Sequence, residues 1–186
     1  YAVDRNVSRI DPTVAALPNV KVMEHDFENK KASRKIDLMW SHDSFQYVTN
    51  PLHTLNLWNQ QMNVNGMLIL ILPQSTTTEY NRLVARGYNH SYFNHNLVSL
   101  IYMLAVNGFD CCDAYALKQE NDPWLHIAAY KSDIEPMNPA TTSWYDLAEK
   151  GLLNPSVENS LNKYGYVRQE DIIYPWLDKD FYRVTN

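Results

Sequence analysis

At 186 residues, with 45% hydrophobic and 20% charged content, the chain is long enough for one domain with a sizeable core and has the composition of a soluble globular protein. A formal net charge of -5 excludes a general electrostatic case for binding nucleic acid. No apolar run reaches membrane-spanning length and no signal-like segment opens the chain, so the expectation is no membrane partner and a cytoplasmic location.

The opening residues 1–3 read as a short buried strand with Asp4 at its tip. Residues 19–25 form a second candidate strand, followed by Asp26, and four basic residues between Lys30 and Lys35 read as a solvated loop. Residues 36–40 make a third strand with Ser41, His42 and Asp43 at its end. Asn50-Pro51 then opens a helix, because Asn caps and Pro suits the first helical turn; Leu52, Leu55, Trp58 and Met62 recur at helical spacing. Asn65-Gly66 breaks the chain, and residues 67–72 are a continuous apolar run of the kind buried on both faces, with Ile69 in its middle. Together with 36–40 and 125–130 this run is expected to form the sheet interior.

Residues 75–89 are polar and irregular. Leu97, Leu100, Ile101 and Leu104 make an amphipathic helix that ends at Asn107-Gly108. Residues 113–117 and 125–130 are two strands joined around Asn121-Asp122-Pro123, which predicts an antiparallel hairpin. Cys111 and Cys112 are adjacent, so on a strand they point to opposite faces and do not pair; one is expected in the core, in a reducing compartment. His90 and His95 lack further ligands at a useful spacing, and no metal site is expected. Beyond Ser132, Pro136 and Pro139 mark a linker. Ser143 and Asp146 form a capping pair before a helix stopped by Gly151, and Asn154-Pro155 starts another with Val157, Leu161 and Tyr164 on one face. The aromatic tail (Trp144, Tyr145, Tyr164, Tyr166, Tyr174, Trp176, Phe181, Tyr182) packs on the body or on another copy. The division drawn is residues 1–132 and an extension, 133–186.

Three stretches carry a resemblance. Lys35 to Val48 (KIDLMWSHDSFQYV), followed by Asn50-Pro51, is similar to the fourth strand and following loop of the class I S-adenosylmethionine-dependent methyltransferases, in their small-molecule branch. Asn65 to Pro73 (NGMLILILP) is similar to the Gly-led fifth strand. His90-Ser91-Tyr92-Phe93, an apolar helix and then Asn107-Gly108-Phe109-Asp110 are similar to the late helix and the turn into the terminal hairpin. The resemblance covers about two-thirds of the chain and stops at the tail.

It implies an α/β, Rossmann-like, mostly parallel sheet with a terminal antiparallel hairpin, followed by a helical C-terminal extension. It also implies S-adenosylmethionine as cofactor and a small-molecule methyl acceptor. The opening strand then matches the family's second. Asp4 would accept from the ribose hydroxyls, Arg5 or Asn6 would lie near the adenine, Asp26 would take the adenine amino group and the Phe27 amide a ring nitrogen. Ser41 and His42 would face the methionine part and the acceptor, with His42 as a candidate general base or a plain loop polar residue. The first strand and its glycine-rich turn have no counterpart, since the five glycines stand at 66, 87, 108, 151 and 165. Hence the alternative function is a non-catalytic interaction or assembly module on the same fold. The gap left by that strand is expected to be closed by direct pairing of its neighbours, by the tail, or by self-association, the last being favoured.

Overall fold

The computed structural model describes residues 2–4, 6–29, 34–73, 93, 95–118 and 124–175. Arg5, Lys30 and Lys31, the polar 75–89 stretch, His90 and Tyr92, the 121–123 turn, and Trp176, Phe181 and Tyr182 lie outside the described residues.

Strand β1 (Ala2–Asp4) pairs in parallel with β2 (Val22–Glu24), in register from Ala2↔Val22 to Asp4↔Glu24. A second sheet has the order β3-β4-β6-β5, with β3 Ile36–His42, β4 Met62–Pro73, β5 Phe109–Lys118 and β6 Trp124–Lys131. Here β3 and β4 are parallel, and β6 runs antiparallel to both β4 and β5. Three of these four strands therefore run one way, with a terminal antiparallel hairpin, which is the Rossmann-like arrangement expected.

Helix α1 is a short turn, Pro12–Ala15. Helix α2 (Pro51–Gln61) begins where expected: the Asn50 side chain accepts from the His53 amide at 3.1 Å, and Pro51 fills the first turn. Its last carbonyls are taken by two cations. Lys131 Nζ donates to Asn59 O at 2.8 Å and Met62 O at 3.1 Å, and Lys35 Nζ to Gln60 O at 2.7 Å, where the helix dipole favours positive charge. Burial, and then the neighbouring charge of Lys35, hold Lys131 below the ordinary lysine range.

Asn65-Gly66 does not end an element; it is a bulge inside β4, which starts directly at Met62. Asn65 takes a left-handed φ of 65°, and a side chain at Gly66 would stand 2.8 Å from the Asn63 carbonyl. The ladder to β3 accordingly jumps from Ile36↔Met62 to Leu38↔Met67.

Helix α3 (Leu97–Val106) packs beside α2 on one face of the larger sheet. Leu68, Leu70 and Leu72 of β4 and Leu125, Ile127 and Ala129 of β6 point to that face and are buried in one cluster with Leu55, Leu100 and Leu104. The opposite face carries Leu38, Trp40 and Ile69. Leu38 is 55% exposed, Trp40 65%, and Ile69 is half-buried. This corrects two expectations. Among the described residues, 36–40 form an edge strand rather than sheet interior, and the middle of β4 is fully buried on one face only. A run of apolar residues has no alternation from which to tell its faces apart.

The extension closes the other edge. Helices α4 (Trp144–Glu149) and α5 (Pro155–Tyr164) both begin at the predicted caps, and Gly165 ends α5 with a left-handed φ of 78°. Between them, Leu153 bridges Cys111 in parallel, and the Cys111 amide donates to Leu152 O at 3.0 Å. Tyr174, fully buried, donates its hydroxyl to Cys111 O at 2.7 Å. Tyr102 of α3 donates to Thr142 O at 2.7 Å. The chain's own residues thereby cover the Cys111 amide and carbonyl at the start of β5. Cys111 is the core-facing thiol, pushed well up by burial, and Cys112 is half-exposed; both are free.

Among the described residues, β1 and β3 do not pair directly, and residues 133–175 cap β5 rather than filling the space between the two sheets.

Candidate active site

Parallel pairing decides which side chains share an end of a sheet. Because β1 and β2 run together, Asp4, the last residue of β1, and Asp26, two residues beyond β2, lie at the same end. Both are exposed. Each carboxylate also stabilises the turn that follows it: Asp4 Oδ1 accepts from the Asn6 amide at 2.8 Å, and Asp26 Oδ1 from the Glu28 amide at 3.0 Å. Asp26 Oδ2 accepts from Asn29 Nδ2 at 2.7 Å.

Two contacts join this end of the small sheet to the rest of the molecule. Glu28, 3% exposed, accepts from the Thr49 amide at 2.7 Å and from its hydroxyl at 2.6 Å. Trp58 of α2 donates its indole N–H to Phe27 O at 3.0 Å, and the Phe27 and Trp58 rings lie 6.4 Å apart. The Asp26–Phe27–Glu28 turn is thus fastened to the start and body of α2.

Ser41 and His42, adjacent on β3, point to opposite faces. Ser41 shares the packed face with Leu70, is buried, and its hydroxyl has no hydrogen-bond partner among the described residues. His42 is exposed on the other face, its ring 5.7 Å from that of Trp124. The structure therefore does not bring these two side chains together. Arg5 lies outside the described residues.

Three further residues shape this region without having been singled out as site residues. Asp43 holds a left-handed φ of 51° at the strand tip, donates its amide to Ile71 O at 2.8 Å, and accepts from the Gln46 side chain. A non-glycine residue in that region is uncommon, and Asp is among the types that tolerate it. Phe45, fully buried, stacks on Trp58 at 5.7 Å and on His95 at 5.3 Å. His95 is itself buried, and desolvation pushes its pKa down to about 4. Only Asp43 carried a signal in the sequence, as a turn-prone acid at a strand end; the burial of Phe45 and His95 depends on partners far away in the chain. Among the described residues, no group of three His, Cys, Asp or Glu side chains gathers as for a metal ion.

The fold recurs in solved structures. The N-methyltransferase NodS from Bradyrhizobium japonicum WM9 superposes with a TM-score of 0.52 at 9% identity, over 70% of this chain and 72% of that one. Its complex with S-adenosyl-L-homocysteine also gives 0.52, at 11% identity, over 71% and 65%. The chain has the class I methyltransferase fold. Magnesium protoporphyrin IX methyltransferase from Synechocystis PCC 6803 matches at a TM-score of 0.45 and 15% identity over 60% of this chain, which spans about half (51%) of that enzyme. No protein-family model matches the sequence, and no curated protein does. In the methyltransferase fold, the ends of parallel strands form the ligand crevice, and here Asp4 and Asp26 stand at such an end.

Proposed function

We propose that this chain takes part in S-adenosylmethionine-dependent methyl transfer to a small-molecule acceptor. The observation that carries the reading is the parallel register of β1 and β2, which sets the Asp4 and Asp26 carboxylates together at one sheet end of a methyltransferase fold. These groups suit the adenosine half of the cofactor. Two exposed carboxylates can accept from ribose hydroxyls and an adenine amino group, with the Phe27 amide beside the ring. The buried, unpartnered Ser41 hydroxyl fits a polar contact at the methionine side. The cofactor, when bound, supplies a methyl group on a sulfonium; the residues here bind and orient. His42 is the candidate base for an acceptor proton, although alignment alone accounts for much of such catalysis. The free thiols of Cys111 and Cys112 suit a reducing, cytoplasmic setting.

Isothermal titration with S-adenosylmethionine tests this. The expected result is saturable binding that depends on the Asp4 and Asp26 carboxylates. Asp4→Ala should weaken it by about tenfold or more, from the loss of hydrogen bonds worth ~1.5–3 kcal/mol each, while thermal melting stays cooperative. A silent wild-type titration would remove the cofactor reading and leave the fold.

The open edge of β3 supports a second reading, an assembly role. Leu38 and Trp40 are exposed beside strand donors and acceptors that have no partner strand among the described residues, a combination that invites pairing with another copy. Light scattering should show concentration-dependent dimers that Trp40→Lys abolishes. Monomers alone across a wide concentration range would overturn self-association.

A further inference from the structure

A cavity of about 420 Å³ opens between the start of α2 and the start of α3, lined by Thr49, Leu52, Phe93, His95, Ser99 and Met103, with Asn50 and Pro51 at its edge. Its volume lies in the range of small-molecule sites, roughly 300–1,000 Å³. Two connections tie it to the candidate site. Its wall residue Thr49 is the partner of Glu28, whose amide binds the Asp26 carboxylate. Its His95 ring packs on Phe45, which follows the Ser41–Asp43 tip of β3.

The hydroxyls of the wall and the Asn50 side-chain oxygen are occupied within the protein. The Thr49 hydroxyl donates to Glu28, the Asn50 side-chain oxygen accepts from the His53 amide, and the Ser99 hydroxyl donates to Asn96 O while accepting from the Asn96 amide. What remains toward the cavity is hydrocarbon, thioether and ring: Leu52, Met103, Phe93 and His95, the last two with ring centroids 6.2 Å apart. None of the described lining residues is Asp, Glu, Lys or Arg. With its pKa depressed by burial, His95 is an uncharged ring near neutral pH.

We propose that this cavity is an acceptor-side binding site for a neutral, flat, apolar molecule of one or two aromatic rings. As the acceptor's site it rests on the methyl-transfer reading; as a binding site it stands on the cavity alone. A charged ligand would lose its hydration against walls that return neither an opposite charge nor uncommitted hydroxyls. A flat ring gains offset or edge contacts with Phe93 and His95 and sulfur contact with Met103.

The test uses methyl-labelled methionine, with 2-naphthol as the neutral probe and 2-naphthoate as its anionic counterpart, in the absence of S-adenosylmethionine. The Met103 methyl resonance, identified by its loss in Met103→Leu, should shift saturably with 2-naphthol and at least tenfold more weakly with 2-naphthoate. Leu52→Trp, which fills the cavity, should abolish the shift while thermal melting stays cooperative. No saturable shift, or equal response to the two probes, overturns the proposal; this comparison does not depend on Leu52→Trp and decides even if that variant does not fold. Because no cofactor is present, a silent cofactor titration beside a positive probe titration separates the failure of the methyl-transfer reading from the failure of the site.

Discussion

Leu70→Asp abolishes cooperative folding. Leu70 is fully buried on the helix-facing side of β4, a strand paired on both edges, in one cluster with Leu55, Leu100 and Leu104. An aspartate there loses the apolar burial of the leucine and either leaves an unpaired carboxylate in the core or must be protonated to stay there. The cost is about 4 kcal/mol or more, a large part of the ~5–15 kcal/mol that holds an ordinary domain together. Ile69→Asp, one residue away, costs much less, because Ile69 is half-buried on the opposite face beside exposed Trp40. Urea denaturation followed by circular dichroism distinguishes the two. A soluble, cooperatively unfolding Leu70→Asp protein would show that the faces of β4 are wrongly assigned.

Stability falls steeply between pH 6.5 and pH 4. His95 is 4% exposed among aromatic rings, and burial lowers its pKa from 6.5 to about 4. The neutral form is therefore favoured in the fold, while the unfolded chain takes up its proton at the ordinary value. Between the two pKa values the unfolded state binds more protons, so stability rises with pH across that window. The sign is that of a depressed pKa: full stability above pH 6.5, lost as pH falls toward 4. The size is about 3 kcal/mol from this one group, at ~1.4 kcal/mol per pKa unit. Denaturant midpoints measured at half-unit pH steps should show this slope, and His95→Phe should flatten it. An unchanged slope in a folded His95→Phe protein would show that other groups set the acid limit. Asp11 and Asp146 titrate below the usual carboxylate range, each held there first by its hydrogen bonds, so these two do not contribute to the upper part of the window.

Local signals were legible wherever one residue's chemistry sufficed. Asn50-Pro51, Ser143 with Asp146, and Asn154-Pro155 each start a helix by satisfying amides a few residues away, and those helices begin at the predicted positions. The turn at Gly108 was legible for a similar reason: it holds φ at 77°, and a side chain there would stand 2.3 Å from the Ile134 carbonyl. Asn65-Gly66 was misread as a break, because a bulge and a break use the same residues and only the partner strand tells them apart. For the candidate site, Asp4 and Asp26 were marked as strand-terminal acids, but nothing local indicated that Glu28 would fasten their turn to Thr49, 21 residues on.

The sequence by itself determined the order of strands and helices, the caps that begin three of the helices and the two acids that follow the first parallel strands. All of these depend on contacts within a few residues, which fixed spacing specifies. Tertiary structure decided which face of β4 is buried, that β3 is an exposed edge while β5 is capped by residues 152–154 and Tyr174, and that His95 sits uncharged in a cavity wall. Burial and edge pairing are set by segments distant along the chain, and the free energy of a leucine, a carboxylate or an imidazole depends on what those segments bring against it.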